Sequence, residues 1–362
     1  MNNRLEPKER LLGIDGLRGL AVLWVLLEHA GRSWGLVPGT YAYEWVNRGG
    51  LGVTVFFGIS GFVITRLLVR HHLEAGVNGL AAFWRARAVR LMPAFLVYLA
   101  GLWIMGWLGG PQVAPTDMAW SGCGAWNYRG LFRAAENGAS TWFLGHTWSL
   151  SLEQQFYLGW PLVLLALGSG QRLRVVMVAL ILLSPAIRVA SYFFQPETRG
   201  MIGMMIHTRL DAMLSGCLLA LCESTWRSHP VAVRYAGLWV ALAALFCVFL
   251  APAFGQHYRG GYWLTIGFML DSLLAILLVV WATIWSPNWL ASGVLLWVGR
   301  ISYSLYLWQQ FFLGDTLITR ALSWPMALAV AVGVGAASYY CVELPAQRWH
   351  AAHWGGSRLK PS

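Results

Sequence analysis

By length alone, a chain of 362 residues could hold two or three soluble domains, but its composition excludes them. It is 57% hydrophobic and only 11% charged, against ~25% charged in typical soluble domains, and its mean hydropathy is +0.55. The net charge of +11 does not point to nucleic acid: only Lys8 and Lys360 are lysines, and the arginines sit in short segments between apolar runs, where membrane topology places them. Five cysteines, Cys123, Cys217, Cys222, Cys247 and Cys341, have neither a disulfide-framework nor a zinc-site spacing, so no metal is expected.

The apolar runs long enough for the ~30 Å hydrocarbon core fall, in chain order, as follows. The first, 12–31, has no small-residue cleavage site after it and reads as a span rather than a leader. It carries Asp15, Arg18, Glu28 and His29. Arg18 and His29 are eleven residues apart, almost three helical turns, so both project from one face with ~16 Å between them along the axis. The second run, 51–70, holds Ser60 between Gly58 and Gly61. Arg85, Arg87 and Arg90 precede the third, 91–110. Arg87 and Arg90 are i, i+3 neighbours on one face, and arginine forks suit phosphate.

A loop over 111–151 follows, with Trp120, Trp126, Trp142 and Trp148. These suit either sugar stacking or an interfacial belt. The fourth span, 152–168, opens on Glu153, and 174–194 contains Arg188. Next come 202–222 with Arg209 and Asp211, 232–254, 262–285 with Asp271, 301–320 with Tyr303, and 325–345. The expected fold is therefore all-α: a polytopic transmembrane bundle of about ten helices, one domain over 1–350 with a short tail at 351–362.

Basic residues set the expected orientation. With a cytoplasmic N-terminus, Arg4, Lys8, Arg10, Arg66, Arg70, Arg85, Arg87, Arg90, Arg172, Arg174, Arg227, Arg234, Arg300, Arg348, Arg358 and Lys360 lie inside with Arg18. Fewer lie outside: Arg32, Arg48, Arg129, Arg133, Arg199, Arg259 and Arg320. An even span count then puts the C-terminus and its tail in the cytoplasm.

Ionisable groups within spans cost ~2.5–3.5 kcal/mol each on insertion scales and mark function by default. The bland alternative pairs Arg188 and Arg209 with nearby carboxylates inside the bundle. Depth sorts the groups into two sets. His29, Glu153, Arg209 and Asp211 fall toward the outer face, and Asp15, Arg18, Arg85, Arg87 and Arg90 toward the inner face. A ligand anchored by phosphates at Arg18 would reach toward His29 along one helix.

Several stretches in order resemble the acyltransferase-3 family of membrane acyltransferases. They are Ile14–Gly19 through His29 (an R-x10-H pattern), Gly52–Phe62, Arg87-x-x-Arg90 with Pro93, Trp148–Tyr157, Arg209–Ala212, Ile301–Trp308 and Val342–Pro345. The resemblance covers nearly the whole chain. It departs at Gln154, where many members have a second Glu, and at Gln309, where many have His. The chain ends soon after the tenth span, so the SGNH esterase-like domain of some members is not expected.

The resemblance implies an acyl-CoA donor, most often acetyl-CoA, and transfer to a hydroxyl of an extracytoplasmic glycan such as exopolysaccharide or O-antigen. It further implies residence in the inner membrane among lipid and polysaccharide biosynthesis or export proteins, with free or lipid-linked glycan as partner and no nucleic acid. Under it, His29 is the base that takes the hydroxyl proton, and Glu153 orients its ring. Arg18, Arg87 and Arg90 hold the CoA phosphates. Asp15, Arg188, Arg209, Asp211 and Tyr303 shape the site, and Ser60 either positions an acyl group or packs as a small residue. Other acceptors in the family include macrolide-like small molecules. A transporter or flippase also places charges in spans, but the repeated halves of such folds are not visible here. A membrane-bound O-acyltransferase of the other class also uses a His in an apolar helix, but the R-x10-H in the first helix and the missing upstream Asn/His arrangement point away from it.

Overall fold

The computed structural model describes residues 11–31, 34, 36–132, 138–314 and 322–354. Arg4, Lys8, Arg10, Arg32, Arg133, Arg320, Arg358 and Lys360, used above for orientation, lie outside these residues, as does 355–362 of the expected tail. Every regular element among the described residues is helical.

In chain order these are α1 (Leu12–Gly31), α2 (Tyr41–Val46), α3 (Gly49–His71) and α4 (Gly76–Trp107). The connection after α4 carries α5 (Pro115–Gly122), α6 (Arg129–Phe132) and α7 (Gly138–Gly145). Then come α8 (Thr147–Leu167), α9 (Gln171–Phe194), α10 (Ile206–Arg209), α11 (Asp211–Leu221) and α12 (Glu223–Ser228). The chain continues through α13 (Pro230–Ala244), α14 (Ala251–Tyr258), α15 (Gly260–Tyr262), α16 (Phe268–Ile284) and α17 (Gly293–Phe312). It closes with α18 (Trp324–Ser338) and α19 (Leu344–Trp354). Short π-helical turns join α13 to α14, α15 to α16 and α18 to α19.

Among the described residues, six continuous helical segments are long and apolar enough to cross a membrane: Tyr41–His71, Leu73–Trp107, Gln171–Phe194, Val233–Tyr258, Gly260–Ile284 and Trp324–Trp354. The helices over the expected first, fourth and ninth spans, α1, α8 and α17, are not among them, and α11 is a shorter apolar helix of 11 residues. The reason is chemical. α1 carries Asp15, Arg18, Glu28 and His29, α8 carries Glu153, Gln154 and Gln155, and α17 carries Arg300, Gln309 and Gln310. In these three helices the polar groups weaken the apolar signal.

Two boundaries differ from expectation in ways that matter. α4 begins at Gly76, far before 91, so Arg85, Arg87 and Arg90 sit on a rigid helix rather than ahead of one. α8 begins at Thr147, five residues before 152, so Glu153 lies nearly two turns into it. At the other end, α19 carries the helix through the expected 350/351 boundary to Trp354.

The helices packed around α3 (α1, α11 and α16) approach closely because glycines leave room. A Cβ on Gly61 would stand 2.1 Å from the Met213 carbonyl oxygen, and one on Gly299 would stand 1.9 Å from that of Asp15. The second contact sets α17 backbone-to-backbone against α1. In α3 the most apolar stretch is 67% buried, whereas the corresponding stretches of α9 and α18–α19 are 22% buried. α3 thus lies at the centre, and less buried apolar helices form the rim where Leu182, Leu238 and Phe249 are exposed.

Residues 111–132 and 138–146 pack over one end of the bundle. Arg129 donates from Nε to Asp117 Oδ1 at 2.5 Å and from Nη2 to Oδ2 at 3.0 Å, both residues buried. The Trp126 amide donates to Ser151 Oγ at 3.2 Å, and Asn127 Nδ2 donates to Gln155 Oε1 at 3.1 Å. These bonds moor the loop to α8.

Candidate active site

α1 runs the depth of the bundle with Arg18 toward one end and His29 at the other. At the His29 end a cavity of about 1110 Å³ is lined by His29, Glu28, Trp126, Asn127, Trp142, His146, Trp148, Glu197, Arg209 and Tyr306, among others. Three of the four loop tryptophans therefore face it. The fourth, Trp120, stacks on Phe132 instead, ring centroids 5.4 Å apart.

His29 is buried and fixed by α17: its Nδ1 lies 3.0 Å from Gln309 Oε1. An amide oxygen can only accept, so toward Gln309 Oε1 the Nδ1 is the donor, and in the neutral ring the lone pair is then on Nε2. The Trp142 ring stands edge-on to the imidazole, centroids 6.0 Å apart, and is itself fixed by an Nε1 donation to the Gln310 carbonyl at 2.8 Å. Trp142 also packs against Gly314, where φ is +88° and a Cβ would fall 2.3 Å from the indole. Only glycine meets both conditions there.

Glu153 stands elsewhere. It accepts a hydrogen bond from Ser60 Oγ, and Tyr157 donates its hydroxyl to the same Ser60 oxygen at 3.3 Å. The expectation that Glu153 orients His29 gives way to Gln309, because α8 starts earlier than its apolar pattern suggests. Glu153 is seven residues beyond His146 at the cavity, ~10 Å deeper along the helix.

Glu153 instead lines a second, small cavity of about 50 Å³ with Arg18, Phe57, Ser149, Tyr303 and Tyr306. Arg18, Arg87 and Arg90 lie within electrostatic range of one another and of Tyr157, and Arg18 and Arg87 also of Glu153. Asp15 acts on Arg18, and Glu343 lies within range of both Arg18 and Arg90. The Nε atoms of Arg18 and Arg87 are buried without a hydrogen-bond partner among the described residues, which leaves donor capacity for an anion. Tyr303 ties this cluster to α4 by donating to the Leu91 carbonyl at 2.8 Å. The arginine set proposed from sequence is thus brought together in space. Tyr157 and Glu343 join it unannounced, although both lie in stretches that carried the family resemblance.

The two cavities share Val53 and Tyr306 as wall. Tyr306 is held by donating to the His146 carbonyl at 2.9 Å and by its contact with Ser149 Oγ at 2.7 Å. A volume of about 50 Å³ holds one or two waters, so the small cavity has no room for a longer group in this structure.

The remaining charges have structural partners. Arg188, fully buried, donates to Asp211 Oδ2 at 3.1 Å, to the Thr208 carbonyl at 3.0 Å and to the Leu264 carbonyl at 2.9 Å. Arg209 lies 3.6 Å from Asp211, donates to Thr54 Oγ1, and sits over the Phe268 ring at 4.2 Å. Of these three, Arg209 lines the large cavity. Arg48 bonds Asp271 at 2.8 Å. The bland reading fits Arg188 and Asp271, while Arg209 serves both roles.

A helical bundle with six segments apolar enough to cross a membrane, and a histidine and an arginine cluster at the two ends of one buried helix, is a multi-pass membrane protein with polar sites in its interior. The sequence profile of the acyltransferase-3 family, described as an acyltransferase domain, matches residues 11–343. The chain belongs to that family of acyl-transferring enzymes. It is 27% identical over 370 residues to the peptidoglycan O-acetyltransferase OatA of Listeria monocytogenes, covering 92% of this chain and 55% of that protein. It is 29% identical over 317 residues to the O-acetyltransferase OatA of Staphylococcus aureus (strain NCTC 8325), covering 83% of this chain and 50% of that protein. The chain spans about half the length of the curated relatives it matches. No solved structure matches it.

Proposed function

We propose that the protein is an O-acyltransferase of the cytoplasmic (inner) membrane. It takes an acyl group, acetyl by the names of its relatives, from cytoplasmic acyl-CoA and passes it to a hydroxyl of an extracytoplasmic glycan. The observation that carries this reading is His29, tautomer set by Gln309, facing the large cavity from the same helix that places Arg18 in the cationic cluster.

Arg18, Arg87 and Arg90 bind the donor's phosphates on the cytoplasmic side. The acyl arm extends past Val53 and Tyr306 toward His29, which requires the throat between the cavities to widen on donor binding. His29 Nε2 accepts the proton of the acceptor hydroxyl while its oxygen attacks the thioester carbonyl. The C–O bond forms, the C–S bond breaks, and the proton passes from His29 to the leaving thiolate. Neither proton nor charge is left over, and general-base catalysis of this kind contributes ~10²–10⁴-fold. Trp126, Trp142 and Trp148 supply flat apolar faces of the sort that stack on sugar rings. The peptidoglycan named for the Listeria relative supports a glycan as the acceptor class.

The test is to compare base-labile acetate on surface glycans of a deletion strain complemented with wild-type protein or His29→Ala. Restoration by the wild type alone is expected. Restoration by His29→Ala at normal expression would remove the base from the scheme.

A further inference from the structure

His146 lies at the head of α8, is 4% exposed, and lines the same cavity as His29. Neither of its ring nitrogens has a hydrogen-bond partner among the described residues. The two imidazoles are close enough to act on each other electrostatically. The His146 ring is clamped edge-on by two buried tyrosines, with centroids 5.5 Å from Tyr98 and 5.3 Å from Tyr306. Its backbone is equally fixed, since its carbonyl accepts from Tyr306 and from Ser149 Oγ at 3.1 Å.

A rigid, buried, unsatisfied imidazole is a cost to the fold. Apolar side chains of similar size would fill the space without it. The only polar groups of other molecules that reach this position are those of whatever enters the cavity. The Leu307 carbonyl faces the ring without reaching hydrogen-bond geometry. A carbonyl can only accept, so it favours the hydrogen on the nitrogen nearest it and leaves the lone pair on the other. That nitrogen accepts from a donor, and the donor that an acyl acceptor offers is a hydroxyl.

We propose that His146 is a second substrate-contacting imidazole, which receives a hydrogen bond from a hydroxyl of the acceptor and holds it against His29. His29 moves the proton, and His146 orients the acceptor without changing its own protonation. This rests on the reading of the large cavity as the acceptor site.

The experiment uses the full-length protein in native membranes, acetyl-CoA as donor, and glycan extracted from a deletion strain as acceptor at increasing amounts. His146→Leu is expected to melt at the wild-type temperature or higher. It should require at least ten-fold more glycan for half-saturation, with the half-saturating acetyl-CoA unchanged. His146→Gln, which keeps an acceptor oxygen, is expected to recover part of the loss. Wild-type glycan saturation in His146→Leu would overturn the proposal. So would a lowered melting temperature or failure to fold, because the ring would then be satisfying the protein rather than its substrate. Failure of wild-type membranes to acetylate the extract would instead overturn the acceptor-site reading beneath it.

Discussion

The two ends of α1 solve opposite problems. At the Arg18 end, Arg18 and Glu153 line about 50 Å³ of space, with Arg87, Arg90 and Glu343 within electrostatic range of Arg18; α1, α4, α8 and the π turn before α19 supply these charges. At the His29 end about 1110 Å³ opens between aromatic walls, and the imidazole is steadied by a neutral amide. Binding a polyanion calls for clustered cations. Moving a proton calls for a base of fixed tautomer beside room for the substrate. Under the proposed function, the difference teaches that one helix can join two chemistries by spacing, ~16 Å apart.

The largest effect expected is on stability, away from both ends. Asp211→Ala leaves Arg188 buried without its carboxylate, and breaking such a pair costs ~3–5 kcal/mol. Thermal melting in detergent should show a marked loss. Unchanged melting would mean that these charges belong to the site rather than to the scaffold. Next, His29→Ala should lower acyl transfer by ~10²–10⁴-fold while leaving CoA binding intact, read by transfer of labelled acetyl in membranes. Arg87→Ala should do the reverse. Losing charge-assisted bonds worth ~1.5–3 kcal/mol raises half-saturating acetyl-CoA by roughly 10- to 100-fold, with turnover at saturation nearly kept. Val53→Phe, at the wall shared by the cavities, should slow transfer with donor binding unchanged, because it narrows the throat alone.

The smallest effect in this set is expected at Gln309. Gln309→Leu removes the acceptor seen at His29 Nδ1, which weakens the preference for the proton on that nitrogen. By analogy with groups that orient metal-bound histidines, turnover should fall ~10–100-fold, with both half-saturation values kept. An unchanged rate would show that Gln309 only packs.

The first helix was legible because its information is local. The apolar run 12–31 coincides with α1, and helical period alone places Arg18 and His29 on one face. The arginine cluster was legible for the same reason, since Arg87 and Arg90 are neighbours on one turn. Gln309 was not, since it meets His29 across 280 residues of chain and had looked only like a lost histidine. Glu153 was misplaced in depth because Thr147, Ser149 and Ser151 blur the start of α8 in an apolar pattern, though all are buried. His146 stands two residues before the Trp148 motif, and nothing in its immediate sequence distinguishes it from a loop residue. Only its burial without partners does.

The division of labour along α1 is tested most directly by measuring CoA binding and acetyl transfer side by side in His29→Ala and Arg87→Ala membranes. The account predicts that His29→Ala binds CoA like wild type and transfers almost nothing, while Arg87→Ala binds CoA weakly and transfers near the wild-type rate at saturating acetyl-CoA. Equal loss of binding and transfer in both variants would contradict it.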